Sequence, residues 1–369
     1  NDKLPVNYNN MPGGEGNLQR ATKGMALALK SRASLYLASP LYSADDTQKW
    51  KNAAQAAYDL ISQAGTLGYS LDPKYSNLYG ATNNQSKEVI MCRPTGASTS
   101  FESANFPMGV TKGSTTTCPT ENLVSAYEMT DGTAFDWSNA EMVKDPYANR
   151  DPRLGMTVVY NGMAWPKTTP VEVFEGGKNG QPIKNATTTG YYLRKYVNNS
   201  VTFEPGETTT SQQHNWILFR YAEVLLSWAE AENELNGPSD QVYNYIDQIR
   251  ERVGMPKVVR TKYDTQDKLR ELIRRERCVE FAGEGLRRAD ILRWKDAGGK
   301  MLAETLMNGD LKRITGAINY SETDPYKRAE VTGTATIETR KFAPKNRYLP
   351  FSQTDVLDKN PNIKQNPGY

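Results

Sequence analysis

The chain has 369 residues, 38% of them hydrophobic and 24% charged, with a formal net charge of +3. That length buries a large core, in one big domain or two modest ones, and so small and evenly spread a charge excludes the electrostatic footprint of a nucleic-acid binder. His214 is the only histidine, which removes most triad and transition-metal chemistries while leaving two-carboxylate chemistry open.

Cys92, Cys118 and Cys278 lack CxxC spacing and build neither a zinc cluster nor a disulfide framework. Cys278 sits in a helical pattern and reads as a small buried hydrophobe. No run of about 18 apolar residues is present to span a membrane. The start, Asn1-Asp2-Lys3-Leu4-Pro5, is neither a signal nor a transit peptide, so a targeting segment is expected to be removed or upstream.

In chain order, the Ala-, Leu- and Lys-rich stretch from Leu18 to Ala38 predicts a helix that stops before Pro40. Trp50, Ala53, Ala54, Ala57 and Ile61 then form one apolar stripe at helical spacing, with Gly65 as the expected C-cap. Small alanines let the two helices approach closely, as in the antiparallel pair of a tetratricopeptide repeat. Residues 68 to 213 read differently: Thr, Gly, Asn and Pro are frequent. Only short strand-like runs occur there, at Glu88 to Met91, Met156 to Tyr160 and Tyr191 to Val197. Loops this long in a compact domain point to binding.

A second helical pair follows. Leu218, Tyr221, Ala222, Leu225 and Ala229 mark one face, ending at Gly237-Pro238. Ser239 or Asp240 caps its partner, whose stripe is Val242, Tyr245, Ile246, Ile249 and Val253, stopped by Gly254 and Pro256. A third begins near Thr265, turns Leu269, Leu272, Ile273 and Val279 inward, and passes Gly283-Glu284-Gly285 into a short helix around Asp290 to Trp294. Residues 306 to 345 are polar and irregular and read as a second loop excursion. The expected fold is mainly α: tetratricopeptide-like helix pairs with long loops and a few short strands. Its parts are a first helix pair over 1–67, a loop-rich ligand-binding region over 68–213, and C-terminal helix pairs and a tail over 214–369.

Several blocks carry a resemblance. They are Arg20-Ala21-Thr22-Lys23-Gly24 with Ala38-Ser39-Pro40-Leu41-Tyr42; Pro119-Thr120-Glu121-Asn122-Leu123-Val124 with Glu128-Met129 and Asp131-Gly132; and Asp145-Pro146-Tyr147-Ala148-Asn149-Arg150-Asp151-Pro152-Arg153-Leu154. Further on come Arg220-Tyr221-Ala222-Glu223-Val224-Leu225-Leu226 with Ala229-Glu230-Ala231, and Arg275-Glu276-Arg277 through Glu280, Glu284-Gly285, Arg287, Asp290 and Arg293-Trp294. Tyr348-Leu349-Pro350 and the ending Gln365-Asn366-Pro367-Gly368-Tyr369 complete the series.

In that order the blocks resemble the SusD/RagB family of surface lipoproteins, here without the N-terminal segment and lipid-modified cysteine that members carry. The resemblance implies a non-catalytic protein with a SusD-like α superhelix that binds an oligosaccharide or polysaccharide. It implies delivery to a SusC-like TonB-dependent transporter at the bacterial outer membrane, and membrane contact only through a lipid anchor outside this chain. No nucleic acid, cofactor or metal is expected. A peptide-binding RagB-like uptake protein is the alternative within the family, and a glycoside hydrolase using Glu280 or Glu284 the enzymatic one.

Glu276, Glu280 and Glu284 repeat on one helix face among many arginines. A hydrolase needs two carboxyls opposed across a cleft, about 5 to 9 Å apart; side-by-side carboxylates among arginines predict an ion-pair network instead. Asp145 to Leu154, with two Asp-Pro steps, reads as a stiff turn, and the final Asn-Pro-Gly-Tyr as a docked tail. For ligand contact, aromatics in polar loops are the best pointer, because sugar rings present C–H faces to Trp and Tyr. The candidates are Phe101, Phe106, Trp137, Tyr160, Trp165 and Tyr192, with Asn161 beside them. Trp165 is preferred, since Tyr160-Asn161-Gly162 turns sharply just before it.

Overall fold

A computed structural model of the protein describes residues 3–8, 20–43 and 46–369. The expected helix start at Leu18 lies outside the described residues.

Thr22 caps α1 (Lys23–Ala38) by accepting from the Met25 amide, and Asp46 caps α2 (Thr47–Ile61) through the amides of Gln48 and Lys49. The alanine stripe does what its spacing predicts: Ala53, Ala54 and Ala57 are buried, and Leu27, Ala28, Ala57 and Leu60 share one core cluster. Gly65 is not the cap. A further turn, α3 (Ala64–Leu67), follows and is closed by Gly68 at φ 80°, whose amide donates back to Ala64 and Gly65.

The loop-rich stretch contains β1 (Val89–Pro94), α4 (Ser100–Asn105), α5 (Glu121–Ala126), α6 (Ala140–Lys144), α7 (Pro152–Thr157), β2 (Val158–Val159) and β3 (Tyr192–Leu193). Two strand expectations shrink here. Asp151 accepts from the Arg153 amide and Pro152 occupies the first turn, so helix rather than strand runs through Met156. β3 stops at Leu193, and Tyr196, at φ 67°, lies in the turn that follows. Beneath these loops lies a core of their own, including Phe106, Leu154, Val158, Phe174, Tyr191 and Tyr192; Val279 and Ile314 join it from the C-terminal half.

Next come β4 (Asn215–Arg220), antiparallel to β1, then α8 (Tyr221–Asn236), α9 (Asp240–Glu251) and α10 (Gln266–Glu280). Leu218 therefore belongs to a strand and is exposed, because the helix starts only after Arg220. Ser239 caps α9 by accepting from the Val242 amide. Leu225, Ala229, Ile246, Ile249, Leu269 and Leu272 form the core between the three helices; each fully buried Leu or Ile contributes about 1.5–3 kcal/mol. Ala231 of α8 also packs on Leu35, Trp50 and Ala53, so both chain ends share one helical stack.

After α11 (Arg287–Arg293) and α12 (Leu302–Leu306), the region read as loop is a long antiparallel hairpin, β5 (Gly309–Ile318) with β6 (Ala329–Arg340). Ile314 alone is fully buried in it. The hairpin tip reaches the earlier loops: Tyr326 donates to the Thr168 carbonyl at 2.5 Å and Tyr320 to that of Gly176 at 3.0 Å. The C-terminal residues fold back on 345–351, with Asn366 donating to the Leu349 carbonyl and Tyr369 to that of Tyr348.

Candidate functional site

The scaffold under the loops is held by buried charge. Arg153 reaches Glu276 at 2.5 Å, Glu280 at 2.8 Å and Asp151 at 2.6 Å, with no exposed side-chain surface. Arg220, the last residue of β4, bridges Glu88 and Glu280 at 2.6 Å each and Glu284 at 2.8 Å. Arg252 also pairs with Glu88 and Glu280, while Arg250 joins Glu128 to Glu276. On the other side of α10, Arg277 and Arg293 pair with Glu230 and Asp290.

Burial alone would push the Glu280 carboxyl up, but Arg252, Arg220 and Arg153 outweigh it and hold it well below the usual carboxylate range. A general acid needs the opposite direction. The turn at residues 145–154 is structural as well. Asp145 accepts from the Tyr147 and Ala148 amides, and Arg150 donates to the Pro146, Val124 and Tyr127 carbonyls.

Above this network, the loop carrying Trp165 opens onto a cavity of about 260 Å³, whose lining includes Tyr79, Trp165, Arg194, Lys195, Asn198 and Asn199. The sequence places Trp165 there through a tight turn: the Met163 amide donates to the Tyr160 carbonyl, and Gly162 supplies φ 83°. Val171 then donates back to Met163, and Tyr326 fastens the loop at Thr168. The Arg194 guanidinium lies over the Trp165 ring, 4.9 Å from its centroid. Lys195 is fully buried, donating to Glu284 at 2.8 Å and Tyr75 at 2.9 Å; burial brings its pKa down to about 8, with Glu284 opposing the shift.

Of the other sequence candidates, Trp137 lines a separate cavity of about 480 Å³ with Asn122, Asp310 and Lys312. Its indole N–H donates to Glu121 at 3.2 Å and Ser125 at 3.1 Å, which fixes the ring. Tyr160 is half-buried and stacks on Tyr147 at 4.1 Å, and Phe101 sets its edge against His214 and Trp216.

Phe106, Tyr192 and Trp165 all belong to the core beneath the loops, 1%, 0% and 5% exposed, and of the three only Trp165 borders the cavity. Asn161 is buried and accepts from the Val173 amide at 2.8 Å, a loop-bracing role. Sequence reading missed Arg194; its signal was a pair of cations inside the aromatic run Tyr191 to Val197. Among the described residues no group of His, Cys, Asp and Glu is arranged to hold a metal ion.

Antiparallel helix pairs locked by buried ion pairs, carrying a loop face with an aromatic and cationic cavity, define a tetratricopeptide-like α protein. The SusD family profile matches residues 83–369, and the chain belongs to the SusD family. SusD-like protein P25 of Formosa agariphila is 26% identical over 277 residues, covering 67% of this chain and 46% of the relative. The chain spans about half the length of the curated relatives it matches.

A SusD-like protein of Bacteroides fragilis superposes with a TM-score of 0.74 at 25% identity, covering all of this chain and 68% of that one. A SusD-like carbohydrate binding protein of the same species gives 0.71 at 24% identity, covering 98% and 68%. The second likeness speaks for the fold.

Proposed function

We propose that this chain is the glycan-holding part of a cell-surface uptake protein, capturing an oligosaccharide without breaking a covalent bond. It passes the sugar to a SusC-like TonB-dependent transporter in the outer membrane. A lipid anchor on a segment outside this chain tethers it. No helix among the described residues is long and apolar enough to cross a membrane, which suits attachment by such an anchor. Family membership supports the reading, and the solved relative described as carbohydrate binding supports the cargo.

The observation that carries it is the Trp165 cavity: an aromatic ring set among polar donors, above a scaffold whose carboxylates are committed to arginines. Sugar recognition needs ring faces and fixed donors, not a tuned pKa. Trp165 is the primary contact, and Trp137 is a further aromatic open to a cavity.

Calorimetric titration with oligosaccharides chosen from a glycan array tests this. Trp165→Ala is expected to weaken binding by ~10-fold or more, the range for truncating a central aromatic anchor. Binding of peptides alone would transfer the site to peptide uptake, and full affinity in Trp165→Ala would remove the site.

A further inference from the structure

We propose that the Trp165–Arg194 cavity takes an acidic sugar, a glycan unit bearing a carboxylate or a sulfate. This rests on the glycan-binding reading and adds the charge class of the ligand.

Of the two cations in the cavity lining, Arg194 is the one without a counter-charge. Arg153, Arg220, Arg250, Arg252, Arg277 and Arg293 each hold a carboxylate, and Lys195 holds Glu284. Arg150, which lacks one, is satisfied by three carbonyls. Arg194 is half-buried and, among the described residues, pairs with no Asp or Glu. Its Nη1 donates to the Gly155 carbonyl and approaches the Met163 sulfur at 3.8 Å. Nε and Nη2 have no partner there, yet neither is among the buried atoms left unsatisfied, so that edge reaches open space.

The cavity lining contains no carboxylate at all, only Arg194, Lys195, aromatic and apolar groups, and the neutral donors Ser76, Asn198 and Asn199. A half-buried charge with nothing opposing it is unfavourable; burial lowers the Arg194 pKa, and the Tyr160 phenol is the one ionisable neighbour that pulls it back.

A free guanidinium edge is the fork that accepts a carboxylate or sulfate through two parallel hydrogen bonds. The guanidinium is held over the Trp165 ring by a cation–π contact. An acidic sugar satisfies both features together: its ring lies on the aromatic wall and its anion meets the guanidinium edge, while Asn198 and Asn199 face its hydroxyls.

The test titrates the intact chain with oligogalacturonates and their methyl esters, and with sulfated galactan oligosaccharides and their desulfated forms. The two pairs separate a carboxylate from a sulfate as the recognised group. At least one acidic form is expected to bind ~10-fold more tightly than its neutralised partner, the scale of a charge-assisted hydrogen-bonded pair. Arg194→Met is expected to abolish that ratio. Asn198→Asp, nearly isosteric, is expected to lower acidic affinity by a larger factor than neutral affinity, which keeps the idea testable if Arg194→Met folds poorly.

Equal affinity for acidic and neutral forms, or an unchanged ratio in Arg194→Met, overturns the proposal while glycan binding stands. Displacement by an Asp- and Glu-rich peptide as strong as by the sugars overturns the sugar class. Absence of binding to any sugar, acidic or neutral, overturns the parent reading as well.

Discussion

Arg220→Met is expected to lower the stability of the protein by about 3–5 kcal/mol, the cost of stranding buried partners of a removed charge. The guanidinium touches Glu88, Glu280 and Glu284, and it also donates to the Glu280 carbonyl at 2.9 Å. Methionine fills much of the volume but leaves these carboxylates short of a donor in a site without solvent. For a chain of this length the loss corresponds to a fall in Tm on the order of 5 °C. Lys30→Ala, which removes an exposed pair with Asp59, is the control and should cost about 1 kcal/mol at most. Equal melting temperatures for the Arg220 variant and the native chain would show that the network contributes little.

The second large effect is acid unfolding. Glu280, Glu284, Glu230 and Asp290 are all held below their ordinary pKa: burial opposes, and the facing arginines win, with Lys195 helping at Glu284. A carboxylate whose folded pKa lies below its unfolded value stabilises the fold above that unfolded value, about 3.9 to 4.3. The contribution is lost as pH falls through the folded value. Stability should therefore be flat from neutral pH to about 5 and fall steeply below about 4, by several kcal/mol in total. Glu121 acts in the opposite sense, because burial raises its pKa, but it is one group against four. Urea titrations between pH 3 and 7 read this directly, and a pH-independent midpoint would contradict it.

The helices were legible because their signals are local. Caps at Ser239 and Thr265 and a stop at Gly237 set the end of α8 and the starts of α9 and α10 within a residue or two. The hairpin of β5 and β6 was not legible. Both its faces are largely open to solvent, so no alternating apolar pattern marks it, and its threonines favour strands only weakly. Leu218 was misplaced because a strand running straight into a helix continues the apolar spacing across the junction.

The ion-pair network was anticipated from Glu276, Glu280 and Glu284, but its partners Arg153, Arg220 and Glu88 come from distant segments that only the fold brings together. Aromatics in the polar region were ambiguous for a physical reason. Those loops enclose their own core, which includes Phe106, Tyr192 and Trp165 alike, and sequence does not tell that of these only Trp165 also borders a cavity. Arg194 stands out only when its lack of a carboxylate is set against the paired arginines around it.

A crystal structure of the protein soaked or co-crystallised with its tightest-binding oligosaccharide is the most direct measurement. An intact sugar is predicted, with one ring against the Trp165 indole and its acidic group on the Nε–Nη2 edge of Arg194. A ligand seated elsewhere at full occupancy, or cleaved fragments beside Glu280 or Glu284, would contradict the account.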